Sequence, residues 1–180
     1  MKHKILLLAF LFSAISFSQD KYYTKSGSIT FESSVPSFEE VKSTNNKVTA
    51  ILKSDGTIAS LALTKGFRFK IALMEEHFNE NYIESSKFPK ASFSGKIIDF
   101  NMSNLTSTYK IFKIKGTLLI RGVKKEITID SKIKFVDNII HLGANFSVKP
   151  EDFNIKIPNI VRKKIAKKVD VSFHFELKKR

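Results

Sequence analysis

The residues best equipped for chemistry in this chain are its histidines and one knot of carboxylates. An imidazole beside a carboxylate can relay protons near neutral pH or hold a divalent metal. His77 stands directly after Glu75 and Glu76, with Glu80 three positions on, while His141 and His174 lie far from it and from each other. The fourth histidine, His3, falls in the N-terminal leader. No two of them have the spacing of metal ligands, and the chain has no cysteine. A zinc site would therefore need histidines to converge with a carboxylate across the fold. Glu75, Glu76 and Glu80 are equally well explained as the solvated face of a short helix. There is no Gly-rich phosphate loop and no nucleophile elbow. These groups read as surface or structural ones, so the sequence predicts no catalytic residue, no metal and no cofactor.

What the chain does offer is a set of elements fit to enclose something. Residues 75–95 (EEHFNENYIESSKFPKASFSG) interrupt a series of alternating β runs. Phe78, Tyr82 and Ile83 recur at helical spacing, and Phe88-Pro89 returns the chain to an extended form before the next strand. An amphipathic segment between the strands of an all-β chain predicts a lid over the mouth of a closed sheet.

The strands follow from period-two alternation. Residues 27–33 place Ile29 and Phe31 on one face. A polar connection over 36–47, with at most one helical turn, leads to 48–53, where Val48, Ala50 and Leu52 share a face. After a turn at Ser54-Asp55-Gly56, residues 57–69 place Ala59, Leu61 and Leu63 together, with a bend or bulge at Lys65-Gly66 before Phe67 and Phe69. Beyond the lid, residues 91–100 set Ala91, Phe93, Gly95 and Ile97 inward. Residues 109–120 do the same with Phe112, Ile114, Gly116, Leu118 and Ile120, and residues 124–136 with Ile127, Ile129, Ile133 and Phe135. Asp137-Asn138 is a two-residue hairpin turn, from which Ile140, Leu142, Ala144, Phe146 and Val148 line the returning strand. Residues 150–168 are irregular, with a short helix expected from Pro158. The last strand, 169–177, alternates Val169, Val171, Phe173, Phe175 and Leu177 against polar residues. About eight strands, each with one apolar face, fit an antiparallel sheet closed on itself. A two-sheet sandwich would give a similar pattern.

Composition bounds the setting. Lys2 and Lys4 precede an apolar run, and Ser16-Phe17-Ser18 supplies a small-x-small cleavage pattern. Residues 1–18 thus read as a secretory signal peptide and residues 19–180 as one β-barrel domain, periplasmic or secreted. Without cysteine, that domain must be held by its core alone. The net charge is +14, of which the leader carries only two lysines. Such a balance suits anionic surfaces, among them lipid headgroups and glycans. Nucleic acid is not expected, because the chain is read as exported and no recognition motif is present. The basic stretch from Arg162 to Lys168 and the tail Lys178-Lys179-Arg180 are either solvated termini or a means of holding the barrel mouth near a membrane.

Several segments together resemble the YceI-like family of polyisoprenoid-binding periplasmic proteins. Its middle signature, an Arg-Asp-x-His-Leu run followed by paired aromatics and Tyr-Pro, stands here as Met74-Glu75-Glu76-His77-Phe78, Tyr82-Ile83-Glu84 and Phe88-Pro89, then Phe93. A second, Gly-x-Leu-x-Ile-Arg-Gly-Val, is matched from Gly116 to Val123, and an Asp-Phe-Gly motif appears as Asp152-Phe153-Asn154. The chain departs from the pattern at Met74, where the family has Arg, and at Asn154, where it has Gly. The resemblance implies an all-β, lipocalin-like barrel of eight antiparallel strands with a short helical lid. It also implies an interior able to hold a long isoprenoid or other amphiphilic lipid.

An eight-stranded barrel is at the size where side chains either fill it or leave room for one ligand. The small inward residues Ala50, Gly95, Gly116 and Ala144 argue for space. The expected lining is accordingly Phe31, Ala50, Phe69, Phe93, Gly95, Phe112, Ile114, Ile129, Leu142, Ala144, Phe146, Val171 and Phe173, under a lid of Phe78, Tyr82 and Ile83. The alternative is a filled barrel that uses its basic surface on a glycan, a membrane or a protein partner.

Overall fold

The structure, a computed structural model, describes residues 20–180; the expected leader lies outside the described residues. Its strands are β1 (Lys21–Glu32), β2 (Lys42–Lys53), β3 (Thr57–Leu63), β4 (Arg68–Phe69), β5 (Lys90–Ile97), β6 (Lys110–Ile120), β7 (Val123–Val136), β8 (Ile139–Val148) and β9 (Val169–Lys179), with one short helix, α1 (Ala72–His77). Every pairing is antiparallel, and the order β1-β9-β8-β7-β6-β5-β3-β2 closes through the β1–β2 pair. The result is the expected eight-stranded barrel. β4 is a ninth, two-residue strand added to β2.

Tight turns fix the register of the long alternating strands β6, β7 and β8. Arg121-Gly122 joins β6 to β7 and Asp137-Asn138 joins β7 to β8, all four residues at positive φ. That is the backbone twist that two-residue hairpins require.

Three sequence expectations change. β1 and β2 both begin earlier than alternation suggests. The start of β2 is hidden because Ser43 and Asn45 are buried polar residues. Ser43 donates to the carbonyl of Arg68 and Asn45 to that of Leu63, at 2.9 and 3.0 Å, which makes their burial tolerable. β3 turns its other face inward: Ile58 and Ala62 are buried, whereas Leu63 is 53 % exposed. Its apolar residues occur at both parities, so alternation alone could not choose a face. The helix expected from Pro158 is replaced by turns, and a 3₁₀ turn at Pro150–Phe153 precedes them.

The barrel is packed at one end and hollow at the other. Tyr22, Leu52, Ile97, Leu105, Ile133, Ile140, Leu142 and Leu177 fill the end formed where β1 and β6 start and β2, β5, β7 and β9 finish. The lid end holds a cavity.

Candidate functional site

The cavity has a volume of about 600 Å³ and an almost wholly hydrocarbon lining. It falls within the range of about 300–1,000 Å³ usual for ligand pockets. Its walls are the lid-proximal parts of the strands, and α1 with the following turn covers it.

The cover is built from the segment whose helical spacing stood out. Ile71 starts α1 without a side-chain cap, and the helix widens into a π turn at Phe78–Tyr82, where the Ile83 amide donates to the carbonyl of Phe78. Phe78 is the hub. Its ring centroid lies 5.3 Å from Phe31, 5.8 Å from Phe67 and 5.2 Å from Phe69, so one lid side chain grips β1, the β3–β4 connection and β4 together. At its base, Glu75 takes hydrogen bonds from Arg68 at 2.7 Å and from the Phe69 amide at 3.1 Å.

The far end of the lid is latched to two other parts of the barrel. Glu84 stops the turn at positive φ, accepts from Lys87 at 2.7 Å and pairs with Arg121. Hydrogen bonds from Lys87 and Arg121 hold the Glu84 carboxyl below the usual carboxylate range. Arg121 also donates to the carbonyl of Asn154 at 2.7 Å and lies over the Phe88 ring. Gly122 sits beneath that ring, where a Cβ would come within 2.8 Å of Phe88. The three sequence signatures that resemble the YceI-like family therefore meet at one place. The departure Asn154 preserves the geometry: it adopts φ 57°, a left-handed conformation that asparagine tolerates better than most residues. Met74, the other departure, lines the cavity.

Of the residues expected to form the lining and lid, eleven surround the cavity: Phe31, Phe69, Phe78, Tyr82, Ile83, Phe93, Ile114, Ile129, Phe146, Val171 and Phe173. Five do not. Ala50, Leu142 and Ala144 are buried in the packed core. Phe112 packs against that core with Phe100, ring centroids 6.0 Å apart. Gly95 leaves no room at all. It pairs with Gly116, and a Cβ on it would come 2.4 Å from the Lys115 carbonyl and 2.9 Å from the Phe93 ring. The paired glycines let two backbones approach and Phe93 lie across them, so their smallness signals close packing rather than empty space.

The sequence left one wall unread. Phe153, Ile155, Ile157, Val161 and Ile165, from the irregular segment between β8 and β9, all line the cavity. Their signal was present in FNIKIPNIVRKKI, but the interspersed lysines and Pro158 masked it. Reciprocal hydrogen bonds between Ser33 and Ala166 tie this wall to the end of β1. The polar groups on the lining are few; Glu39, His77, Tyr82 and Lys164 come from the lid and the loops around the mouth. Burial raises the Tyr82 pKa, which keeps its hydroxyl a neutral donor.

The histidines are arranged differently from expectation. His77 borders the cavity. His141 and His174, which sequence spacing separated, come together with Glu176 because β8 and β9 are antiparallel neighbours that pair His141 with Glu176.

Comparison with solved structures returns this same architecture. A polyisoprenoid-binding domain from Saccharophagus degradans, described as implicated in plant cell wall breakdown, superposes with a TM-score of 0.78 at 12 % identity, over 89 % of this chain and 98 % of that one. BcnA from Burkholderia cenocepacia gives 0.68 at 14 % identity, over 83 % and 95 %. A YceI protein from Campylobacter jejuni gives 0.59 at 17 % identity, over 100 % and 99 %. At such identities these likenesses speak for the fold. No curated protein sequence compared with this chain matches it. Residues 13–177 match the YceI-like domain, and on that match, which spans most of its length, the chain belongs to the YceI-like family.

Proposed function

We propose that this protein is an exported, non-catalytic carrier that holds a long apolar or amphiphilic chain, polyisoprenoid-like in character, inside its barrel. The observation that carries this reading is the lid-covered apolar cavity of about 600 Å³. The superposition on a polyisoprenoid-binding domain supports the ligand class. Burial drives such binding. At about 0.8 kcal/mol per CH₂, roughly fifteen carbons release about 12 kcal/mol, which after an association cost of about 4 leaves micromolar affinity. The packed half of the barrel limits how deep the chain can enter, so binding selects length and shape above headgroup. A titration of delipidated protein with a fluorescent farnesyl or geranylgeranyl analogue tests this. Saturable micromolar binding is expected, and failure to saturate would refute the reading.

The mouth of the barrel suits an anionic membrane surface as the place of loading. Phe38, Leu73 and Ile160 are exposed there at 46, 57 and 88 %. Arg162, Lys163, Lys164, Lys167 and Lys168, all exposed, flank them. Apolar tips within a basic rim gain from both burial and headgroup charge. Co-sedimentation with phosphatidylglycerol vesicles should fall steeply with added salt, and salt-independent or absent binding would remove this part of the proposal. Export is read from the leader, and intact mass of protein recovered outside the cytoplasm should begin at Gln19.

A further inference from the structure

The outer wall of the barrel carries a second cluster that the carrier reading does not use. Alternate residues of a strand share a face. His141 on β8, with His174 and Glu176 on β9, therefore points away from buried Ile140, Leu142, Phe175 and Leu177. None of the three lines the ligand cavity. His141 Nδ1 lies 3.8 Å and His174 Nε2 3.7 Å from the same Glu176 Oε1, and the two rings are 5.9 Å apart. One donor atom from each residue falls within 4.8 Å of the other two.

These separations are too long for good hydrogen bonds. They are close to what a metal ion needs. Donors about 2.1 Å from a tetrahedral metal lie about 3.4 Å from one another. The two Glu176 separations exceed that by a few tenths of an ångström, and the separation of the imidazole donors, up to 4.8 Å, by up to about 1.4 Å. Rotation of Glu176, whose side chain is 55 % exposed, closes the first, and rotation of the His174 ring, 45 % exposed, closes the second. We propose that His141, His174 and Glu176 form a binding site for a divalent transition-metal ion of the zinc or copper class, with water in the open positions. Two imidazoles and one carboxylate favour these ions over calcium or magnesium, which prefer all-oxygen sites.

The surroundings leave the site accessible. Gly143 pairs with His174 and places no side chain beside it; a Cβ there would come 3.7 Å from His174 Nδ1. Lys134 and Lys132, across from His141 and Gly143 on β7, both set their ammonium groups over the Tyr109 ring, at 4.8 and 5.3 Å. The face of that ring offsets part of the positive charge they bring near the imidazoles.

Calorimetric titration of untagged protein with Zn²⁺ is the test, with histidine ring NMR signals as a second readout. One Zn²⁺ per chain is expected, with signals of His141 and His174 shifting and those of His77 unmoved. His141→Gln and His174→Gln should each weaken binding at least about tenfold. Because the three residues face outward, these variants should keep the metal-free thermal midpoint. The absence of saturable binding up to millimolar Zn²⁺ would overturn the proposal. So would affinity that neither substitution changes, or equal binding of Ca²⁺.

Discussion

Replacing Phe78 with alanine tests whether the segment above the cavity is a lid. The ring is half-buried and contacts Phe31, Phe67 and Phe69 at 5.2 to 5.8 Å between centroids. Three aromatic pairs at about 0.5 kcal/mol or more each, with about 1 kcal/mol of lost partial burial, give a loss of roughly 2–3 kcal/mol. If ligand leaves only when the lid lifts, that loss lowers the opening cost directly. At about 2 kcal/mol, release should then accelerate roughly 30-fold. Global stability should fall by less, because destabilising a segment that opens locally cannot cost more than its own opening free energy. Stopped-flow displacement of a fluorescent isoprenoid analogue, set beside denaturant midpoints, gives both quantities. An off-rate within twofold of the original, with a full loss of stability, would make Phe78 core and not lid.

Other outcomes follow from the same geometry. Ala144→Leu, in the packed core, should overpack and cost about 1–3 kcal/mol while leaving ligand affinity unchanged. Ser60→Leu, on the cavity wall, should keep or raise the denaturant midpoint of delipidated protein and reduce its capacity for an apolar chain. The Glu84 latch should respond to acid. Its carboxyl is held below the usual range, so the latch is intact above the ordinary glutamate pKa of about 4.3 and is lost as pH falls through the depressed value. Ligand release should therefore accelerate only in acid, below the ordinary glutamate range. Glu84→Gln should release ligand faster at pH 7 and lose much of that acid step; an unchanged acid profile in the variant would place the titrating group elsewhere.

How much of this was legible in the sequence depended on the strand. In β7 and β8 the alternation over the paired stretch breaks only at buried Ser131, whose hydroxyl donates to the Phe112 carbonyl, and at Val136 and Ile139 beside the turn. The Asp137-Asn138 turn fixes the register, so face and pairing could both be read. β3 carries apolar residues on both faces, and its orientation was settled by what lies opposite it in the closed barrel. The start of β2 was invisible because Ser43 and Asn45 are buried through hydrogen bonds to backbone that only tertiary structure brings near. Alternation also says whether a side chain points inward but not how far along the barrel it sits. Ala144 and Phe146 share a face two residues apart, yet one is in the packed core and the other lines the cavity. The glycine pair at Gly95 and Gly116 misled for a related reason, since the space above a small residue was taken by the Phe93 ring from the same strand. The outer histidines were hidden by register alone, because 33 positions of sequence separate residues that β8–β9 pairing brings side by side.

The central claim is that the cavity holds a lipid chain. Mass spectrometry of an organic extract from protein purified without detergent, quantified against protein concentration, addresses it without any assumption about the ligand. A long-chain apolar or amphiphilic molecule is expected in near-stoichiometric amount, depleted in the Ser60→Leu variant. An extract free of lipid, from protein that also takes up no isoprenoid after delipidation, would contradict it.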